Sequence, residues 1–166
     1  ESLVFGERRV TRTTSYAYNS DFLRTEERVS DSRGTESLLR RNYVTEASSG
    51  VAKLMADAGM VGFPLSETRL VRPAGGQERV VSVTEYSYVQ PAQVAHPSLF
   101  RVGSVMETDS TTGVRSVTSY TYDPLGRPLT RTAPDGTVTV YVWGYGGLYP
   151  VAAVSGTTLQ AVRNVP

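Results

Sequence analysis

One nine-residue phrase recurs along this chain and limits what it can fold into. It reads VTRTTSYAY from Val10, VVSVTEYSY from Val80 and VRSVTSYTY from Val114, with DGTVTVYVW from Asp135 to Trp143 as a fourth copy in outline. Each copy ends in two aromatics one residue apart, with a threonine four places before the last: Thr14, Thr84, Thr118 and Thr139. Residues at i and i+2 share a face on a strand and diverge on a helix, so the phrase predicts a β-strand. Its recurrence predicts one supersecondary unit used several times. Repeated strands specify an architecture and leave the activity open.

Turn signals separate the copies: Ser32-Arg33-Gly34, Pro73 to Gly76, Ser110 to Gly113, Asp123 to Gly126, Pro134-Asp135-Gly136 and Ser155-Gly156. Each supplies residues that tolerate positive φ or that pre-set a turn. The Val-, Thr-, Tyr- and Arg-rich stretches between them predict strands near 10–18, 23–29, 35–44, 67–71, 78–89, 100–108, 114–122, 129–132, 137–143 and 149–154. Tight turns between strands give antiparallel neighbours. The expectation is an all-β chain, an antiparallel meander of successive hairpins forming a single domain over residues 1–166.

One segment breaks the pattern. SSGVAKLMADAG, from Ser48 to Gly59, places Val51, Leu54, Met55 and Ala58 at i, i+3, i+4 and i+7, which predicts a short α-helix over about 48–59. Ser48 or Ser49 is placed to cap its start and Gly59 to close its end. Three turns are marginal alone in water, so the helix is expected to lie across one face of the sheet with that stripe buried. Gln90 to Leu99, with Pro91 and Pro97, reads as a surface loop.

Charge and composition exclude several functions. The net charge is +1, which lacks the basic footprint of a dedicated nucleic-acid or membrane-surface binder. Lys53 is the only lysine, and the arginines are scattered along Thr-rich strands as a solvated sheet face would carry them. With no cysteine, disulfides, thiolate nucleophiles and Cys-ligated metals are excluded. No run approaches the ~20 apolar residues that cross a bilayer as a helix. The chain starts at Glu1 without a leader, as expected of a piece of something longer.

The last third carries a more specific pattern. SYTYDPLGRPLTRTAPDGTVTVYVWGYGGLYPVA, from Ser119 to Ala152, resembles the YD repeats of RHS-type bacterial surface proteins, the matching positions being Tyr120, Tyr122, Asp123, Gly126, Arg127, Asp135, Gly136 and Tyr141. WGYGGLYPVA, from Trp143, is similar to the end of the repeat region in a subset of RHS-like envelope proteins. In that subset a short helix and a strand similar to Pro64 to Thr68 come before the repeats. The resemblance implies a non-enzymatic structural module in a β-shell or stalk, placed in the cell envelope or outside the cell, with further repeats of its own polypeptide as partners. The earlier copies depart from the pattern: Asn19 follows Tyr18, Val89 follows Tyr88, and neither has the Gly-Arg pair.

The residues also explain the pattern physically. In Asp123-Pro124-Leu125-Gly126 the Asp opens a turn, Pro pre-sets φ and Gly ends it. Arg127 is placed to reach back to the Asp or to stack on an aromatic of the neighbouring strand.

Catalytic candidates are few. His96 is the only histidine and lies in the Pro-bounded loop, where an exposed residue without a role is the plainer reading. Some RHS proteins resemble self-cleaving cages that use aspartates near Asp-Pro-x-Gly, which would single out Asp123, although the same letters make an ordinary repeat turn. Asp135-Gly136 reads as the commonest hairpin turn. Glu107 and Asp109 supply too few oxygens for a calcium loop, and Gly144, Gly146 and Gly147 lead into strand rather than a phosphate-binding helix. No catalytic residue, cofactor or metal is expected. Trp143, Tyr145 and Tyr149, flanked by glycines, form an aromatic cluster able to stack on sugar rings, against the alternative that Trp143 packs within the hairpins and Tyr149 anchors the next strand. A cell-surface glycan or protein is the corresponding candidate partner.

Overall fold

The computed structural model of the chain describes residues 2–5, 8–91, 96 and 98–163. Among these residues eleven strands follow one another across the sheet in chain order, an antiparallel meander. They are β1 (Ser2–Phe5), β2 (Arg8–Tyr18), β3 (Arg24–Asp31), β4 (Glu36–Tyr43), β5 (Pro64–Arg72), β6 (Arg79–Val89), β7 (Arg101–Asp109), β8 (Arg115–Tyr122), β9 (Pro128–Thr132), β10 (Val138–Gly144) and β11 (Tyr149–Ser155). The ten strands expected from sequence are β2 to β11, each within a few residues of its expected ends. All six expected turns contain a glycine with positive φ. Two elements lacked a signal: β1, and a short helix α2 (Leu159–Arg163). Of the expected Gln90–Leu99 loop, residues 92–95 and 97 lie outside the described residues.

The described residues gather into two compact units, Glu1–Glu85 with Glu107–Arg115, and Tyr86–Met106 with Ser116–Pro166. In the first, the register places Leu38 opposite Leu70 and both are buried, at 3% and 5% exposure. Directly opposite residues share a face, so this apolar pair lies beside Arg28, Glu36, Arg40 and Arg72. Those charges are joined in one chain of ion pairs: Glu78–Arg40–Glu26–Arg28–Glu36–Arg72, with contacts from 2.6 to 3.1 Å. Arg28, Arg40 and Arg72, three of the scattered arginines of the sequence, thus lie on one sheet face and are partnered there.

The expected helix is present as α1 (Gly50–Asp57). Gly59 has φ +78, its N–H donates to the Ala56 carbonyl, and the Met60 N–H donates to the Met55 carbonyl, which is the Schellman closure. Ser49 holds the N-cap position, but its side chain makes no capping bond. The expected apolar stripe is corrected in part. Met55 is buried, whereas Leu54 is 53% exposed and Ala58 is exposed as well. The helix therefore buries a narrow edge and not a broad stripe.

In the second unit Tyr88, Phe100 and Val140 form the buried apolar residues, and Asp123 is buried with them. A buried carboxylate needs partners for its oxygens. Their identity defines the site below.

Candidate functional site

Among the described residues three turns share one wiring scheme. At Asn19, Asp31 and Asp123, the residue's own N–H donates to the carbonyl four residues on, and its carbonyl accepts from the N–H three residues on. Its side-chain Oδ1 accepts from the N–H groups two and four residues on, at 2.9 to 3.0 Å in all six bonds. The fourth position needs positive φ and holds Phe22, Gly34 and Gly126 in turn. The Asp-x-x-Gly signature is thus a five-residue turn saturated by one Asx side chain. Asn19 does the work of Asp123 in a copy whose letters looked divergent. The spacing of an Asx directly after the Tyr-x-Tyr ending was the available signal.

The last aromatic of four strands has an equally regular place. Tyr18, Tyr43, Tyr122 and Trp143 each follow a β-bulge, opposite Arg24, Pro64, Pro128 and Pro150 respectively. A bulge suspends the ladder, so a proline opposite it forfeits no bond. The polar tips of three of these rings then reach back along the chain. The Tyr43 hydroxyl donates to the Arg24 carbonyl at 2.9 Å, the Tyr122 hydroxyl to the Val102 carbonyl at 2.7 Å, and the Trp143 indole N–H to the Pro128 carbonyl at 2.8 Å.

Arginines reach the other way. Arg101 Nε donates to the Gly126 carbonyl at 2.9 Å, and an Arg127 Nη donates to the Gly147 carbonyl at 2.6 Å. In the second unit successive hairpins are therefore joined by a pair of opposed bonds: Tyr122 back and Arg101 forward, then Trp143 back and Arg127 forward. Arg127 is also tied through Nε to Asp123 Oδ2 at 2.6 Å, and its guanidinium lies 5.5 Å from the centre of the Trp143 ring. Both expected roles of Arg127, on the aspartate and on an aromatic, are filled at once. Sequence reading missed Arg101 and Tyr43, which donate to main-chain carbonyls, and Gly147, which supplies one, because no letter marks such a carbonyl.

Asp123 is fully committed in this joint. Burial pushes its carboxyl up, but the Arg127 N–H, the Arg127 guanidinium and the Leu125 N–H together outweigh burial and hold it below the usual aspartate value. An aspartic-protease carboxyl instead needs a raised pKa or a shared proton. Asp135 is exposed, and its Oδ1 accepts from the Thr137 N–H at 2.8 Å. Gly136 is the positive-φ residue of that turn, Tyr120 faces Arg131 across β8–β9, and Tyr141 faces Ala153 across β10–β11. His96 is exposed and accepts from the Ser98 N–H. Among the described residues no three His, Asp or Glu side chains gather as metal ligands.

The expected aromatic cluster divides. Trp143 is half-buried, with Arg127 over its ring and its N–H spent on Pro128. Tyr145 and Tyr149 remain outside, 78% and 63% exposed, with ring centres 6.2 Å apart in an edge-to-face arrangement.

The RHS repeat family model matches residues 107–138, a span that contains Tyr122, Asp123, Gly126 and Arg127. Comparison with curated proteins finds no match. Residues 107–138 thus hold an RHS repeat.

Proposed function

We propose that this chain is a non-enzymatic structural module, part of a β-shell or stalk in an RHS-repeat protein of the cell envelope or the extracellular space, with further repeats of the same polypeptide as its partners. The observation that carries this reading is the commitment of the signature residues to holding hairpins together: Asp123 accepts three bonds and Arg127 binds Asp123, Gly147 and Trp143 simultaneously. The rival role for Asp123, self-cleavage, requires a carboxyl free to exchange a proton. Intact-mass measurement on the purified chain during days of incubation at pH 5 and pH 7 tests it. The scaffold reading expects one undiminished species, and an internal fragment that disappears in Asp123→Asn overturns it.

A second reading has one observation in its favour, the exposed rings of Tyr145 and Tyr149 on a turn where Tyr145 holds φ +52. Sugar rings stack on such faces. Glycan-array binding lost in Tyr145→Ala and Tyr149→Ala, and kept in Trp143→Phe, is the expected result of that reading.

A further inference from the structure

We propose that Tyr145 and Tyr149 form a site of one-electron oxidation, at which their rings couple through a carbon–carbon bond to give dityrosine and staple the turn between β10 and β11. The geometry is set inside the turn itself. The Leu148 N–H donates to the Gly144 carbonyl at 3.1 Å, and Tyr145, Gly146 and Gly147 hold φ of +52, +67 and +85. Three successive residues with positive φ fold the chain back tightly enough to bring positions 145 and 149 together. Their ring centres lie 6.2 Å apart with planes at 78°, an edge-to-face contact. Both residues belong to a single turn, and the contact needs no neighbouring strand.

Tyr145 is the informative member. A left-handed conformation is unfavourable for a residue with a Cβ, and glycine, which stands at the next two positions, is the residue such a place favours. A tyrosine is held there instead, 78% exposed, with the 63% exposed Tyr149 ring beside it. Burial does not explain the choice, because little of either ring is covered. The strained backbone presents two phenols side by side.

The chemistry open to paired phenols is oxidative coupling. Removing one electron and the phenolic proton from each ring leaves two phenoxyl radicals, with spin density on the Cε carbons beside the oxygen. A bond forms between one Cε of each ring, the hydrogens on those two carbons pass to the oxygens, and both phenols are restored. In sum two electrons and two protons leave. One hydrogen peroxide, acting through a haem peroxidase, accepts them and becomes two waters. Side chains this exposed rotate in picoseconds to nanoseconds, so the Cε atoms meet while the radicals persist. The chain has no cysteine to repair a phenoxyl radical by giving it a hydrogen atom. Other tyrosines are placed differently. The Arg24 guanidinium lies 5.3 Å from the centre of the Tyr16 ring, and a cation over a ring opposes loss of an electron. The Tyr43 and Tyr122 hydroxyls are bound to main-chain carbonyls, and Tyr88 is buried. Coupling of Tyr145 to Tyr149 closes a covalent ring around Gly147, and so holds in place the carbonyl that takes the Arg127 guanidinium.

The test is treatment of the dilute chain with a haem peroxidase and hydrogen peroxide, followed by tryptic mapping and fluorescence. The tryptic peptide Thr132–Arg163, which contains Tyr141, Tyr145 and Tyr149, is expected to lose the mass of two hydrogens while the protein stays monomeric, and dityrosine emission is expected to appear. Tyr145→Phe and Tyr149→Phe are each expected to abolish both signals, and Tyr141→Phe and Tyr16→Phe to keep them. A peptide of unchanged mass overturns the proposal, as does a coupling that survives Tyr149→Phe or that gives covalent dimers alone. Phenylalanine keeps a face on which a sugar stacks, so the loss of coupling in these variants is read separately from glycan binding.

Discussion

At residue scale the informative position is Phe22. It fills the place in the five-residue turn that Gly34 and Gly126 fill in the equivalent turns, with φ +59 and 88% exposure. A left-handed conformation costs an L-residue with a Cβ about 1–2 kcal/mol, and the extra freedom of glycine in the unfolded chain costs about 0.5–1 kcal/mol. The first exceeds the second, and exposure leaves little packing to lose. Phe22→Gly is therefore expected to stabilise the chain by about 0.5–1 kcal/mol in urea titration; a lower midpoint would contradict the account. Asp123 gives a prediction of opposite sense. Its folded pKa is depressed, so the stability it contributes is present above the ordinary aspartate range and lost as pH falls through the depressed value. Asp123→Asn is expected to lower stability at pH 7 by about 1–2 kcal/mol and to flatten the acid limb below about pH 4. A limb of unchanged steepness would assign acid sensitivity to other carboxylates, Glu26 and Glu36 first among them, whose pKa values the Arg40 and Arg72 guanidinium groups hold down.

At the scale of the element, the joint between hairpins sets the tolerance to change. A Cβ added at Gly147 would lie 1.5 Å from an Arg127 Nη, and Gly147 has φ +85. Gly147→Ala must therefore displace Arg127 from the carbonyl, from Asp123 and from Trp143 together. The expected cost is about 2 kcal/mol or more, and Trp143, the only tryptophan, reports it through a shifted emission maximum at the denaturant-free baseline. A destabilised protein with unshifted emission would mean that the joint stays closed. Much of the hairpin framework was legible beforehand. Period-two aromatics, which mark β2, β6, β8 and β10, and Asp/Gly turns between strands are local signals. The joints were not legible, because a tyrosine's acceptor 19 or 20 residues away is a main-chain carbonyl that every residue possesses. The helix shows a similar boundary: spacing located α1 and Gly59, yet it could not tell that Leu54 and Ala58 face solvent, since burial depends on what lies opposite.

Across the molecule, alkaline pH probes the second unit. Burial, with the neighbouring Tyr86 phenol adding to it, pushes Tyr88 up to about 12. A raised folded pKa contributes stability that is complete below the unfolded value near 10 and is lost as pH climbs toward 12. Stability is expected to stay level to about pH 10 and then fall, by at most about 2–3 kcal/mol from this group, in denaturation midpoints taken every half pH unit. Tyr88→Phe should reduce that fall, leaving the part due to Tyr122, whose phenol burial also pushes up, and a fall that Tyr88→Phe leaves unchanged would place its origin elsewhere. The opposed bonds of the second unit carry one further consequence, for how such a chain changes in length. Arg101 and Arg127 are 26 residues apart, as are their neighbours Val102 and Pro128; Tyr122 and Trp143 are 21 apart, as are Gly126 and Gly147. The two sides of the clasp each advance as a block, Arg101 with Val102 by 26 residues and Tyr122 with Gly126 by 21, so a hairpin excised or duplicated in full leaves every remaining clasp with its counterpart. A cut of a few residues strands a donor on one side and a carbonyl on the other. Genetic drift in such an array is thereby restricted to whole words.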